Sequence, residues 1–290
     1  EPIWDLLKDN EGKTCYSRGS VSDACKFYIL NEKKAYIIGD SQMASISLDL
    51  KNRFKKRNYQ FITYTNPGCG FFPGFDHMVY STKKVHPKCT SKYFSDVEKI
   101  LSGEKNAIII FGGNFPVYLS GYLFDDKEGN LAPNGEGPDG RIASVQYVPV
   151  GKFKDIQTSF RESVTKLSKK NKIILIYQIP EFAVYPNMKI FKEWSTKISK
   201  DKQNFKFKDI SVSHEVFKER AKESFDLFDS IEGKNILRVY PHKLFCSTIK
   251  EGRCVAHDEK TMFYWDGNHP SKEGAKMINN LIFKKINQIN

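Results

Sequence analysis

An alternation of short apolar runs with longer amphipathic stretches is the feature that most constrains the fold of this chain. Five runs have the length and composition of buried strands, and five stretches have helical periodicity. Strands that are separated by helices form mostly parallel sheets with right-handed crossovers. The sequence therefore predicts an α/β protein with a three-layer α/β/α architecture around a mostly parallel five-stranded sheet. The predicted strands lie at 35–38, 59–65, 107–111, 172–179 and 235–239, and the predicted helices at 41–56, 92–101, 155–170, 215–228 and 271–286.

The length of 290 residues fits one large α/β domain. Residues 1–34 precede the first predicted strand, and we interpret them as a lead-in or linker segment ahead of a single folded domain at 35–290. The chain begins without an initiator Met or a signal-peptide pattern, which indicates a mature fragment or an excised domain. Two long loops, at about 121–150 and 182–211, interrupt the alternation, and loops of that length are commonly functional or mobile.

The net charge of +12 does not by itself indicate a nucleic-acid-binding protein. Lysines are spread along the whole chain, with only short clusters at 51–57 and 166–172, as expected for solvated helix faces. We therefore expect no nucleic-acid partner, whereas attraction to anionic glycans or to a membrane surface remains open. No run of about eighteen apolar residues occurs, so the sequence predicts no membrane-spanning helix.

The cysteines fall into three pairs of near neighbours in the sequence. Six cysteines allow fifteen pairings, of which we favour the pairing by proximity. Disulfides indicate an oxidising, extracytoplasmic compartment, and the alternative is six unrelated buried thiols. No Cys-x-x-Cys or His/Cys knuckle spacing supports a zinc site, and we expect no metal. The proximity pairs are Cys15/Cys25, Cys69/Cys89 and Cys246/Cys254.

Polar and glycine residues follow the predicted strands, where parallel sheets bind their ligands. Gly39-Asp40-Ser41 follows the first strand, Gly68-Cys69-Gly70 the second, and Gly112-Gly113-Asn114 the third. Asp266-Gly267-Asn268-His269 comes shortly before the last helix. We expect these four blocks to meet at one edge of the sheet.

The residue types in these blocks predict nucleophilic catalysis. Ser41 lies where a strand turns into a helix, and a serine hydroxyl becomes a nucleophile when a base removes its proton. His269 is the candidate base, and Asp266 can hold its other ring nitrogen. Each residue alone has an ordinary explanation, as a helix N-cap, a surface histidine and a turn residue. Together they predict a Ser41–His269–Asp266 triad.

Asn114 is a candidate for stabilising the oxyanion of the transition state. Its side-chain amide follows a tight turn, and such a donor is worth about 2.7–4 kcal/mol in the transition state. The alternative is that Asn114 is a turn residue in the left-handed conformation, which asparagine tolerates.

These four blocks, in this order over residues 36–275, resemble those of the SGNH (GDSL-type) hydrolase family. The resemblance implies a flavodoxin-like fold, serine-ester chemistry without a cofactor, and an oxyanion hole. That hole would consist of the Ser41 N–H, a glycine N–H and the Asn114 side chain. For the glycine we favour Gly68 over Gly70, and a disulfide at Cys69 would pin the loop that carries both.

The positions of the cysteines give a narrower resemblance, to the periplasmic SGNH domain that is fused to acyltransferase-3 type membrane O-acetyltransferases. This resemblance implies O-acyl, specifically O-acetyl, transfer to cell-surface polysaccharide through an acyl-serine intermediate. It also implies a fused or associated membrane acyltransferase domain and a periplasmic, membrane-tethered location.

Two other functions stay open at this point. One is a stand-alone secreted esterase that removes acyl groups from carbohydrates or small esters, and the other is a glycan-binding module that has lost catalysis. Aromatic residues flank the glycine and asparagine blocks, and they fit either an acyl or sugar pocket or local core. They are Phe71, Phe72, Phe75, Phe115 and Tyr118.

Overall fold

The computed structural model describes residues 2–28, 32–184 and 209–288. The strands are β1 (Cys25–Phe27), β2 (Lys34–Gly39), β3 (Gln60–Thr65), β4 (Phe75–Val79), β5 (Lys84–Val85), β6 (Ile108–Phe111), β7 (Val145–Pro149), β8 (Lys172–Ile176), β9 (Ser211–Ser213), β10 (Ile236–Val239) and β11 (Arg253–Val255). The helices are α1 (Ser41–Lys55), α2 (Ser91–Gly103), α3 (Phe115–Ser120), α4 (Ile156–Ser168), α5 (His214–Asp229), α6 (His242–Phe245) and α7 (Lys272–Asn287), with a 3-10 turn at Ile3–Asp5. Most of the predicted loop at 182–211 lies outside the described residues. None of the helices in the described ranges has the length and apolar character needed to cross a membrane.

The central sheet has the strand order β1-β3-β2-β6-β8-β10. Its last five strands are those that the sequence predicts, and all of them pair in parallel. In this order the first parallel strand lies between the second and the third, which is the flavodoxin-like arrangement. The predicted α/β fold is therefore confirmed, and the point where the strand order reverses lies between β2 and β6.

The sheet contains one strand more than predicted. β1 belongs to the segment at 1–34 and pairs antiparallel with β3, with Cys25 opposite Thr63. This strand has only three residues, Cys-Lys-Phe, which is too short to produce a recognisable alternation. The segment thus extends the edge of the sheet.

Both faces of the sheet are covered by helices. Along β2, Ala35 and Ile37 pack on the side of α1 and α7, whereas Tyr36 and Ile38 pack on the side of α2 and α4. All four side chains are buried, because a parallel sheet between two helical layers has no solvated face. The loops that connect the strands to the helices carry the candidate site, at the carboxyl ends of the strands.

Three disulfides join the cysteine pairs that the proximity rule favours: Cys15–Cys25, Cys69–Cys89 and Cys246–Cys254. They lie in the segments outside the parallel strands. Cys15–Cys25 closes the N-terminal segment, Cys69–Cys89 fixes the loop after β3, and Cys246–Cys254 ties the end of α6 to β11.

Candidate active site

The structure brings Ser41, His269 and Asp266 together at the carboxyl edge of the sheet. Ser41 is the first residue of α1, and its Oγ lies 2.6 Å from His269 Nε2. The other ring nitrogen, Nδ1, lies 2.8 Å from both carboxylate oxygens of Asp266. With Nδ1–H donating to Asp266, Nε2 is free to accept the hydroxyl proton of Ser41. The arrangement can therefore convert the serine into a nucleophile.

The Asp266 carboxylate is held in place by its own loop. Its Oδ1 accepts the backbone N–H groups of Asn268 at 3.0 Å and of His269 at 2.9 Å. Burial opposes ionisation of the carboxyl, but the hydrogen bond and the charge of His269 outweigh it and hold the pKa of Asp266 below its ordinary value. The carboxylate consequently stays ionised and fixes the tautomer of the imidazole.

Contacts with other elements fix the loop that carries His269. Gln42, in the first turn of α1, donates its side-chain amide to the Asn268 carbonyl at 3.1 Å. Phe182 donates its backbone N–H to the Gly267 carbonyl at 2.6 Å. A Cβ at Gly267 would lie 2.5 Å from the Phe182 carbonyl oxygen, so the close approach requires glycine. The distance between base and nucleophile is thereby set by backbone packing.

Asp40 links the turn after β2 to the turn after β6. One carboxylate oxygen accepts the N–H of Gln42 at 2.8 Å and caps α1, and the other accepts the N–H of Asn114 at 2.7 Å and the hydroxyl of Tyr118. Burial raises the pKa of Asp40, and these hydrogen bonds act in the opposite direction. Gly113, with φ +144°, passes so close that its Cβ would lie 2.7 Å from the carboxylate. Asp40 therefore anchors Asn114 next to Ser41.

The Asn114 side chain is oriented by residues that the sequence analysis did not single out. Its Nδ2 donates to Glu181 Oε1 at 3.0 Å, and Gln178 Nε2 lies 3.5 Å from its Oδ1. Glu181 is 5% exposed and pairs with Arg220, whose Nε lies 3.1 Å from Oε2. An amide nitrogen has two N–H groups, so one remains for a ligand. Gln178 and Glu181 follow the end of β8, and the strand-end rule applied to that strand could have found them.

The two candidate glycines of the oxyanion hole are both hydrogen-bonded to Tyr147. The N–H of Gly70 donates to the Tyr147 hydroxyl at 2.8 Å, and that hydroxyl donates to the Gly68 carbonyl at 2.6 Å. Cys69, between them, is bonded to Cys89. Within the described ranges, no hydrogen bond joins either glycine to Ser41 or Asn114.

The flanking aromatic residues do not form an exposed platform. All five side chains are at most 7% exposed and belong to the core on the side of α2 and α4. Of the two interpretations that the sequence left open, the structure therefore supports local core. The five are Phe71, Phe72, Phe75, Phe115 and Tyr118.

Two groups of side chains in the described part of the chain bring potential metal ligands close together. They are His77, His86 and Cys89, and His214, Cys246 and Cys254. In both groups the cysteines are disulfide-bonded and offer no thiolate. Neither group includes a residue of the Ser41 site.

Comparison with known proteins identifies the family of the chain. The family model of the SGNH domain fused to AT3 domains matches residues 9–284. The periplasmic domain of a lipopolysaccharide acetyltransferase from Salmonella ser. Paratyphi A has a similar structure, with a TM-score of 0.54 and 15% identity over 95% of this chain and 92% of that one. A GDSL-like lipase from Bacteroides thetaiotaomicron VPI-5482 has a TM-score of 0.41 and 15% identity over 89% of this chain and 90% of that one.

A search of curated protein sequences found no significant match. The family match covers nearly the whole chain, including the four blocks and part of the segment before β2. The chain belongs to the family of SGNH domains that are fused to AT3 domains, and it is an enzyme of the acyl-transferring or hydrolytic type.

Proposed function

We propose that this protein is a serine-dependent O-acyltransferase that moves an acetyl group to a hydroxyl of a cell-surface polysaccharide. The observation that carries the proposal is the continuous chain of hydrogen bonds from Ser41 Oγ through the His269 ring to the Asp266 carboxylate. Such a series of hydrogen bonds lets a serine hydroxyl lose its proton and attack a carbonyl carbon.

The reaction has two halves, which use the same base. Ser41 Oγ attacks the acyl carbonyl of the donor while His269 Nε2 accepts its proton, and the imidazolium returns the proton to the leaving group. The acyl-Ser41 ester is then attacked by the acceptor hydroxyl, whose proton passes to His269 and finally to the released Ser41. Asp266 stabilises the imidazolium in both halves because its carboxylate remains ionised.

The oxyanion of each tetrahedral intermediate needs donors on the far side of the reacting carbon. The Ser41 N–H at the start of α1 and the free N–H of Asn114 Nδ2 are the donors that we assign. Gly70 is left out of this assignment because its N–H donates to Tyr147. Gly68, whose carbonyl accepts from the Tyr147 hydroxyl, stays the candidate for the glycine donor.

Several properties support polysaccharide as acceptor and a membrane acyltransferase domain as partner. The family is one in which the SGNH domain is fused to AT3 domains, and the solved structure from Salmonella is described as the periplasmic domain of a lipopolysaccharide acetyltransferase. Three disulfides suit an extracytoplasmic location. The net charge of +12 suits an anionic glycan.

The experiment compares acetyl transfer with hydrolysis. The protein is incubated with an acetyl ester, with and without polysaccharide, and acetylated glycan and free acetate are both measured. We expect acetylated glycan, an acetylated peptide that contains Ser41, and loss of both in Ser41→Ala. Ser47→Ala is the matched control, because this serine lies on the same helix and its hydroxyl donates to the Met43 carbonyl.

Free acetate as the sole product, whatever glycan is supplied, would refute transfer and leave an esterase that cleaves carbohydrate or small esters. Full biological activity of Ser41→Ala would refute catalysis altogether and leave glycan binding.

A further inference from the structure

The N-terminal segment, residues 2–28, lies against the strand end next to the candidate site. Tyr16 forms a bridge with Thr65, the last residue of β3, and the N–H of Ser17 donates to the Thr65 carbonyl at 2.9 Å. The N–H of Gly19 donates to Asn66 Oδ1 at 3.0 Å. The segment is thus attached to the turn that leads into the glycine block.

The same segment is closed on itself by covalent and polar contacts. Cys15 is bonded to Cys25, and the Cys15 N–H donates to the Leu7 carbonyl at 2.9 Å. The Arg18 guanidinium donates to the Thr14 carbonyl and pairs with Asp9, both at 2.5 Å. A closed loop loses less conformational entropy on ordering, so the side chains that it presents are held in place.

Trp4 covers the catalytic imidazole. Its ring centroid lies 4.4 Å from that of His269, with an angle of 49° between the two planes. The two nitrogens of the imidazole are held by Ser41 and Asp266, and Trp4 contacts the ring itself. Only 12% of the His269 side chain remains exposed. The indole therefore restricts tilting of the base and limits its contact with water.

We propose that residues 2–28 complete the active site, with Trp4 as a positioning residue that holds the His269 ring in line with Ser41 and Asp266. The inference rests on the proposed function.

The test measures the rate at which a fluorophosphonate labels Ser41, because this reaction needs an activated serine and an oxyanion site but no acyl donor or acceptor. We expect Trp4→Leu to slow labelling about 10-fold through misplacement of the base, and Trp4→Phe should recover most of that loss. Tyr28→Leu is the matched control on the same segment, since the Tyr28 ring lies 5.3 Å from Lys55 Nζ.

A second readout separates positioning from general stability. In Trp4→Leu we expect the proton resonance of His269 Nδ1–H to broaden by exchange with water, with an unfolding midpoint close to that of the wild type. Labelling of Trp4→Leu within twofold of the wild-type rate would overturn the inference alone. A wild-type chain whose Ser41 is not labelled would overturn the proposed function as well.

Discussion

A buried ion pair behind Asn114 provides a quantitative test of how the site is built. Glu181 is 5% exposed, and its carboxylate is bound by Arg220 on one side and by the Asn114 amide on the other. Replacing Arg220 with Met removes the cation and leaves the buried Glu181 carboxylate with the hydrogen bond from Asn114. We expect this variant to be strongly destabilised.

The size of the expected destabilisation follows from the distance between Arg220 and Glu181. At 3.1 Å and an effective dielectric constant of about 20, the Coulomb attraction between Arg220 and Glu181 is about 5 kcal/mol. Relaxation and entry of water recover part of this loss, so we expect Arg220→Met to lower the free energy of unfolding by about 3–5 kcal/mol. Arg220 also donates to the Tyr122 carbonyl at 2.8 Å, and losing that bond costs about 1 kcal/mol more.

A double-mutant cycle isolates the charge pair. Glu181→Gln removes the buried charge, so the variant that combines it with Arg220→Met should be more stable than Arg220→Met alone by about 2 kcal/mol. The bond from Arg220 to Tyr122 is lost in both Arg220 variants and cancels in that comparison. Urea unfolding at pH 7, followed by circular dichroism, gives the four free energies.

The same cycle reports on function. In the combined variant, fluorophosphonate labelling of Ser41 should be slower than in the wild type even though stability is recovered, because the neutral amide oxygen introduced by Glu181→Gln accepts from Asn114 more weakly than the carboxylate does. Additivity of the two substitutions within about 0.5 kcal/mol would show that the pair does not act as a buried unit, and would refute the reasoning.

Three further predictions concern other parts of the molecule. Asp266→Asn should lower kcat of acetyl-ester hydrolysis about 10⁴-fold with little change in thermal stability, because the amide cannot hold the required tautomer of His269; a loss below about tenfold would contradict that role. Burial, with the charge of His86 as a second cause, lowers the pKa of His77 from 6.5 to about 4. The stability that neutral, buried His77 contributes should thus be fully present above pH 6.5. Between pH 6.5 and pH 5 the free energy of unfolding should fall by about 2 kcal/mol, since the unfolded chain binds the proton at a higher pH than the folded one. Urea titrations of His77→Phe should lack this part of the decline. Gly113→Ala should destabilise by about 2–3 kcal/mol in thermal unfolding, because φ is +144° and the new Cβ meets Asp40, whereas Gly121→Ala, at φ +74° in open space, should lose only about 1 kcal/mol.

The sequence predicted the parallel sheet and the meeting of Ser41 with Asn114 for one physical reason. Buried strands between helices produce long apolar runs, and the carboxyl ends of parallel strands converge on one edge. Residues directly after those runs could therefore be placed together without coordinates. The same reasoning applies to Glu181, which follows the end of β8. His269 comes after β11, which is not part of the parallel sheet, and was indicated instead by the Asp266-x-x-His269 block.

Other parts of the site carry no such signal. Trp4 comes from a segment without helical or strand periodicity, and this segment is held by the bridge from Tyr16 to Thr65 and by a disulfide. Arg220 lies on α5 among other charged residues, and its sequence context does not distinguish it from a solvated lysine or arginine. The N–H of Gly70 was unavailable because of Tyr147, which is 77 residues away in sequence. These contacts are long-range and local patterns do not encode them.

The separation of 228 residues between Ser41 and His269 has a consequence for the life of the protein in the cell. During synthesis or export that proceeds from the N-terminus, the serine emerges long before its base, and until α7 has packed against α1 the hydroxyl has ordinary alcohol reactivity. On the proposed mechanism, Ser41 therefore becomes reactive only after the C-terminal helix has docked.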